Sequence, residues 1–234
     1  MNKRLISLLL ALMLLSALPC FAFADTSVQD VKLEDYFSNR DLSGDWDEDE
    51  AQEIALTGSL TVSEGGVYVL SGTVADGCIT VNAKGEKVQL VLNGVSVSCS
   101  NGPCLVVEDA DKVFVTLAPG SENSLTSAAF ADEERSGAVY AKDDIVFNGE
   151  GKLTVSSAAH GILGKDDVKF GGGVYVITAE GRGISGKDSV RIFDGSYTIT
   201  CGKDPIRSKN AAEADKGYVL ILGGSFYLNG NNAD

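Results

Sequence analysis

The sequence predicts an all-β solenoid, a parallel β-helix with coils of about 22 residues, and three observations predict it. A phrase recurs along the C-terminal half: Val139-Tyr140-Ala141-Lys142-Asp143-Asp144-Ile145, then Ile162-Leu163-Gly164-Lys165-Asp166-Asp167-Val168, then Ile184-Ser185-Gly186-Lys187-Asp188-Ser189-Val190, and more weakly Ile206-Arg207-Ser208-Lys209-Asn210. Its lysines stand 23, 22 and 22 residues apart. Such a period marks one supersecondary unit stacked on copies of itself. The second observation is the shortness of the apolar runs, which are rich in β-branched residues and broken by Gly, Asn and Asp. The third is that no segment carries a convincing apolar period of 3.6 residues, so little helix is expected.

Each coil resolves into three strands when the copies are aligned on their lysines. The first places Ile145, Val168, Val190 and Val219 in one slot and Phe147, Phe170, Ile192 and Ile221 in the next but one. The second follows a glycine (Gly151, Gly173, Gly195, Gly224). It places Leu153, Tyr175, Tyr197 and Phe226 together, and Val155, Ile177, Ile199 and Leu228 two residues later. A period of two puts these side chains on one face, with Thr154, Val176, Thr198 and Tyr227 on the other. The third strand centres on Val139, Ile162, Ile184 and Ile206. The aromatic column reads as a core ladder in preference to a sugar-stacking platform, and Phe193 and Tyr227 are the rings expected outside. At about 4.8 Å per coil, about nine coils make a rod near 40 Å long.

The flanking segments read differently. Residues 1–24 have a basic start, an apolar stretch from Leu5 to Leu18 and Ala22-Phe23-Ala24 before Asp25, the pattern of a secretory signal peptide. No later segment could span a bilayer as a helix. Residues 25–53 form an acidic leader, read as solvated or as a cap over the first coil, and 54–234 form the β-helix. The last residues, Gly230-Asn231-Asn232-Ala233-Asp234, stop where another coil would continue, so a truncated product or a covering segment is expected. Export permits a disulfide, and Cys99 and Cys104 flank a turn at Asn101-Gly102-Pro103 that could join them.

The formal net charge of −14 argues against nucleic acid and anionic membrane as partners. Divalent cations are compatible with it. Asp143, Asp166 and Asp188 share one slot of successive coils, and Asp144 and Asp167 the next. Stacked carboxylates about 5 Å apart repel by about 1 kcal/mol per pair in water and more at lower dielectric. Two readings stay open: a solvated row screened by the parallel lysines, or a calcium site drawing oxygens from carboxylates and loop carbonyls. Asp204 lies near in the repeat and could contribute. Residues 41–52 resemble an EF-hand loop only loosely, with Trp46 in place of the glycine and Gln52 in place of the final glutamate. His160, the single histidine, shares a slot with Gly137, Arg182 and Asp204 and reads as a surface turn residue. One unsupported histidine defines no triad. A lyase would need calcium and a basic residue, for which Arg182, Arg207 and Lys203 are the candidates.

Several segments in order resemble a known family. They include 66–73 (GVYVLSGT), 88–95 (VQLVLNGV), 113–123 (VFVTLAPGSEN), 183–190 (GISGKDSV) and 204–208 (DPIRS). Together they are similar to the secreted clostridial carbohydrate-binding domain family, over about residues 34–234. The resemblance implies a right-handed parallel β-helix, bound calcium, and binding of plant cell-wall polysaccharide, acidic pectic or cellulosic, without established catalysis. The family's Asp-rich turns would fall on Asp143, Asp144, Asp166, Asp167, Asp188 and Asp204, and the candidate glycan contacts are Lys165, Arg182, Lys187, Lys203 and Arg207. Pro205 departs from the family's usual glycine, and Ser189 and Asn210 interrupt the acidic column. A calcium-dependent pectate-type lyase and a structural surface protein or adhesin are the alternatives.

Overall fold

The structure is a computed structural model, and it describes residues 32–231. The proposed signal peptide lies outside the described residues, as do residues 232–234. Among the described residues no helix is long and apolar enough to cross a membrane.

Among the described residues, twenty strands wind through eight coils. The early coils hold β1 (Ala51–Leu56) and β2 (Leu60–Val62), then β3 (Gly66–Val74) and β4 (Ile79–Asn82), then β5 (Lys87–Cys99) and β6 (Leu105–Asp109). Next come β7 (Lys112–Leu117), β8 (Glu122–Ser127) and β9 (Gly137–Ala141), followed by β10 (Ile145–Gly149), β11 (Lys152–Ser157) and β12 (His160–Gly164). The later coils hold β13 (Asp167–Phe170), β14 (Val174–Ala179) and β15 (Ile184–Gly186), then β16 (Ser189–Ile192), β17 (Ser196–Cys201) and β18 (Ile206–Ser208), and last β19 (Tyr218–Ile221) and β20 (Ser225–Gly230). Every pairing is parallel between successive coils, as the lysine alignment requires: Val139↔Ile162↔Ile184↔Ile206 in one row and Leu153↔Tyr175↔Tyr197↔Phe226 in another. The coil count falls one short of the expected nine. The leader forms no coil, and the coil between β8 and β9 carries an insertion, residues 128–136.

The solenoid has three flanks. β3 and β5 run unbroken round the corner between the first and second, so those two flanks form one 13-stranded sheet, while the third is a separate 7-stranded sheet of short strands. Later coils break at that corner with glycine. Gly149 has φ +90°, and a Cβ there would lie 2.3 Å from the carbonyl oxygen of Leu117 in the coil before. Only glycine tolerates both the backbone and the approach.

Inside, like stacks on like. Phe147 and Phe170 stack at 5.0 Å, Tyr175 and Tyr197 at 5.1 Å, and Tyr197 and Phe226 at 4.9 Å. Tyr175 and Tyr197 are fully buried, which settles the aromatic column as core. Their hydroxyls donate to the corner carbonyls of Gly172 and Asp194, so no polar atom of the ladder is stranded. Tyr227 faces outward and is 63% exposed.

The outward side chains of the flanks differ sharply. On the first flank Gln89, Val91, Phe114, Thr116, Val146 and Asn148 point out and are nonetheless buried. The cover is the acidic leader. It contains a short helix, α1 (Asn39–Leu42), capped by Ser38, whose side chain accepts from the amide of Asp41. From there the leader lies along the flank instead of over the first coil. Asn148 donates to the carbonyls of Arg40, Asp41 and Ser43, Gln89 to that of Asp45, and Arg191 to that of Tyr36. Arg40 sits over the ring of Phe114, and Phe37 meets Phe193 edge to face at 6.0 Å. Phe193 thus lies outside the core as expected, but is half-buried under the leader.

The second flank is open. Its outward columns, seen most regularly as Ser124-Thr154 and Thr126-Ser156-Thr178-Thr200, are hydroxyl-rich and partly or fully exposed. The third flank is partly covered by the 128–136 insertion. Arg135 lies over the ring of Tyr140 and pairs with Glu108.

The Cys99–Cys104 bridge that the turn would permit is absent, and all four cysteines among the described residues are free thiols. Cys104 turns into the core, where its Sγ lies within hydrogen-bonding distance of the Val97 and Thr126 carbonyls and the Ser127 hydroxyl. Burial pushes the Cys104 thiol up to about 11, so it carries little thiolate.

Candidate functional site

The Lys-Asp turns between the third flank and the first stack as the repeat requires. The amide of Lys165 donates to Ala141 O, and that of Lys187 to Gly164 O. Four of the six candidate metal ligands gather in this row: Asp144, Asp166, Asp167 and Asp188. Asp166 and Asp188 are within hydrogen-bonding reach of each other. Burial, the bond to Asp188 and the charge of Asp144 push Asp166 up to about 6. Asp188 goes the other way. Burial opposes its charge, but Lys216 at 2.7 Å and the Asn210 amide at 2.8 Å outweigh burial and hold its carboxyl below the ordinary range. Burial and then Asp167 raise Asp144, against the pull of Lys112 at 3.8 Å. Asp167 accepts from Ser189 Oγ at 2.6 Å and pairs with Arg191 at 2.9 Å.

The other two ligands stand apart. Asp143 accepts from the Ala110 amide at 2.9 Å. Asp204 precedes β18, at the opposite end of the short strands from the Lys-Asp turns, so it does not join the row. Among the described residues no group of three or more acidic, His or Cys side chains is already arranged to hold a metal ion. The EF-like segment is likewise no loop of that kind. Asp41 is completely buried, with one carboxylate oxygen 3.4 Å from Lys112 and the other 3.3 Å from Lys169. Burial works against its charge, yet the bonds to Ser38 and the two lysines keep its carboxyl low. A solvated leader is thus the wrong description of Asp41.

The candidate glycan contacts divide as well. Arg182, Lys203 and Arg207 meet at one corner of the third flank. Asp204 lies 3.3 Å from Arg182 and 3.1 Å from Arg207. His160 belongs to this corner: its Nδ1 accepts from the Arg182 amide at 2.9 Å. Burial, then Arg182 and Lys203, lower its pKa, so the ring is neutral at pH 7. Lys165 and Lys187 occupy the far end of the short strands. Lys165 is 3.6 Å from Glu134 and lies over the Tyr140 ring, while Lys187 is exposed.

Sequence reasoning missed a cleft of about 510 Å³ where the leader meets the glycine corner, lined by Gly44, Asp45, Glu150, Gly172, Asp194 and Gly195 among others. The clustering of glycines at 171–173 is the signal that marks it.

These features define a class, a repeat-built β-solenoid of parallel strands with charged turns. The particular family follows from comparison. The family model described as "carbohydrate-binding domain-containing protein" matches residues 57–233, and the chain belongs to that family. A protein of the same description from Acetivibrio thermocellus is 41% identical over 177 residues, an alignment covering 72% of this chain and 62% of that protein. This chain thus spans less than two thirds of that relative. A solved structure, the polysaccharide lyase-like protein from C. thermocellum as a gadolinium derivative, superposes with a TM-score of 0.65 at 35% identity, covering 74% of this chain and 71% of that one.

Proposed function

We propose that this protein is a secreted, calcium-binding module that holds plant cell-wall polysaccharide, acidic pectic or cellulosic, without cleaving it. Its coils are taken as right-handed. The observation that carries the reading is the Asp166–Asp188 pair: two facing carboxyls in a row where burial and like charge leave Asp166 short of a counter-ion. A hard cation is the natural one. Asp144, Asp166, Asp167 and Asp188 supply fewer oxygens than the six to eight that calcium takes. The rest would come from water and from uronate carboxylates. An incomplete site of that kind binds an acidic glycan because the glycan completes it, which resolves how an acidic protein holds an acidic polymer.

Support comes from two directions. The family is a carbohydrate-binding one. The structural neighbour is a gadolinium derivative, and gadolinium is a hard ion that seeks oxygen as calcium does. At the basic corner, Arg182 and Arg207 share Asp204 and stay charged, so they suit carboxylate recognition and not proton abstraction. Lys165 and Lys187 would approach the glycan from the turn row.

Retention on polygalacturonate is the test. It is expected with calcium and lost in chelator, with no unsaturated ends formed. Retention unchanged by chelator removes the bridging role, and the appearance of unsaturated ends makes the protein a lyase. Recovery of the exported chain beginning at Asp25 checks secretion.

A further inference from the structure

The charges buried beneath the strap serve neither the turn row nor the basic corner. Asp41 lies across the β10 coil, between Lys112 of β7 and Lys169 of β13. The two lysines divide its oxygens. Oδ1 is 3.4 Å from Lys112 Nζ, and Oδ2 is 3.3 Å from Lys169 Nζ. The Ser38 amide donates to Oδ2 at 3.0 Å, and the capping box of α1 fixes the backbone that carries this carboxyl. The floor beneath is apolar. Val146 pairs in register with both Phe114 and Lys169, and Val146 and Phe114 are buried. Asp41 is completely buried as well, and the Lys169 side chain is only 9% exposed.

A primary amine and a carboxyl group held together in a dry site, with a donor on one carboxyl oxygen, are the reactants of amide formation. Fixed proximity replaces a bimolecular encounter. Burial keeps out the water that would reverse the step. The Ser38 amide stands where negative charge would grow on Oδ2 as the amine adds. Electrostatics favours the product, because an ion pair out of water is costly to keep and condensation replaces both charges by a neutral amide. The same argument selects the lysine. Lys112 also lies 3.8 Å from Asp144, so consumption of Asp41 by Lys169 leaves Lys112 and Asp144 as a matched pair. Consumption by Lys112 would strand Lys169, whose one ion-pair partner among the described residues is Asp41.

We propose that Lys169 and Asp41 condense to an isopeptide bond that fastens the leader strap covalently to β13. Lys169 Nζ bonds to Asp41 Cγ, and the Cγ–Oδ1 bond breaks. Oδ2 stays as the amide carbonyl, held by Ser38. The two protons that the Lys169 ammonium gives up leave with Oδ1 as one water, and the charge of Lys112 stabilises that oxygen as it departs. No oxidant or cofactor enters the balance. The ion pair described above is the chain before this step. The bond joins residues 128 apart in sequence, so it closes most of the solenoid into one loop and restricts the unfolded chain as any long cross-link does. The inference is independent of the glycan and calcium reading.

The test is the intact mass of the full chain, purified folded, then denatured and compared with its own sequence after its first residue has been determined. Wild type is expected to be lighter by one water. Its tryptic digest should contain a branched peptide joining the Asp41 segment to the Lys169 segment. Lys169→Arg keeps the charge beside Asp41 but has no amine to acylate, so it should show the full mass, no branched peptide and slower migration on a denaturing gel. Lys112→Arg should keep the bond. Full mass in wild type overturns the proposal. A loss of water in Lys169→Arg equal to that in wild type places the dehydration elsewhere, as in a succinimide at Asp76-Gly77 or Asp194-Gly195, and overturns it too. A branched peptide through Lys112, or none in Lys112→Arg, overturns the choice of nucleophile.

Discussion

The first and second flanks of the solenoid are built by one continuous sheet and put to opposite uses. On the first, the outward row is mixed apolar and polar, and residues 33–50 lie over it, burying Phe114, Val146 and Asn148. On the second, the outward columns are mostly hydroxyl, with Glu122 and Lys152 at their start, and nothing among the described residues covers them. Backbone geometry is the same in both, with strands in parallel register at one spacing. What separates them is the chemistry of every second residue. A parallel solenoid needs only its inward row to fold, which leaves one outward face free to take an internal strap and the other open to solvent.

The comparison breaks most visibly at Asp41. Asp41→Ala leaves Lys112 and Lys169 without their shared carboxylate beneath the strap. Loss of one partner in a buried ion pair costs about 3–5 kcal/mol, read as a shift in denaturation midpoint. The leader should also become sensitive to protease while the coils stay resistant. Asn148→Ala comes next. Its amide supports three carbonyls of the strap, and leaving them unpaired costs about 1–3 kcal/mol.

A smaller effect lies in the turn row. Asp166 titrates at about 6 in the folded chain against an ordinary aspartate's 3.8. The folded state therefore binds this proton more tightly, and the group favours folding below its unfolded value and disfavours it as pH rises through 6. In chelator, lowering the pH from 7.5 to 5.5 should change the melting temperature by about 2 °C more in the favourable direction in wild type than in Asp166→Asn. The difference isolates Asp166, because His160, whose lowered pKa weakens the fold over the same window, contributes equally to both chains. Calcium should abolish the difference, by stabilising the ionised pair at the higher pH. Below about pH 4 the direction reverses, as Asp41 and Glu108, both held low, begin to protonate.

The inner half of the fold was legible because period two and period 22 are both written in apolar residues. Ile162, Ile184 and Ile206 fall in one slot and so do Tyr175 and Tyr197. The early coils were harder to read. There the strand-to-strand step varies, from Leu60 to Ile79 and then to Leu105 and Val139, and β3 and β5 turn the corner without a break to mark it. The strap was hidden for another reason. Asn148 and Lys169 look like solvated residues in a sequence, and nothing local shows that Asp41 meets them. One signal was present. Val91 and Phe114 put apolar side chains on the outward face of strands whose inward face is apolar too, and a strand apolar on both faces is covered on both. The Lys-Asp row was visible as a repeat, but the sequence could not tell that Asp204 lies across the strands or that Lys216 claims Asp188.

The smallest expected effect tests the other side of the comparison. Ser156→Ala removes one hydroxyl from an exposed outward position of the second flank. Its inward neighbour Val155, wholly buried, is untouched, and the strand's ladder bonds do not involve the side chain. Stability should move by no more than about 0.5 kcal/mol, the range of ordinary surface changes. A loss beyond about 1 kcal/mol would mean that this column supports the coils as Asn148 supports the strap. The two flanks would then differ in degree and not in kind. A small shift leaves the hydroxyls without a folding role, which is the condition for a surface shaped toward something outside the chain.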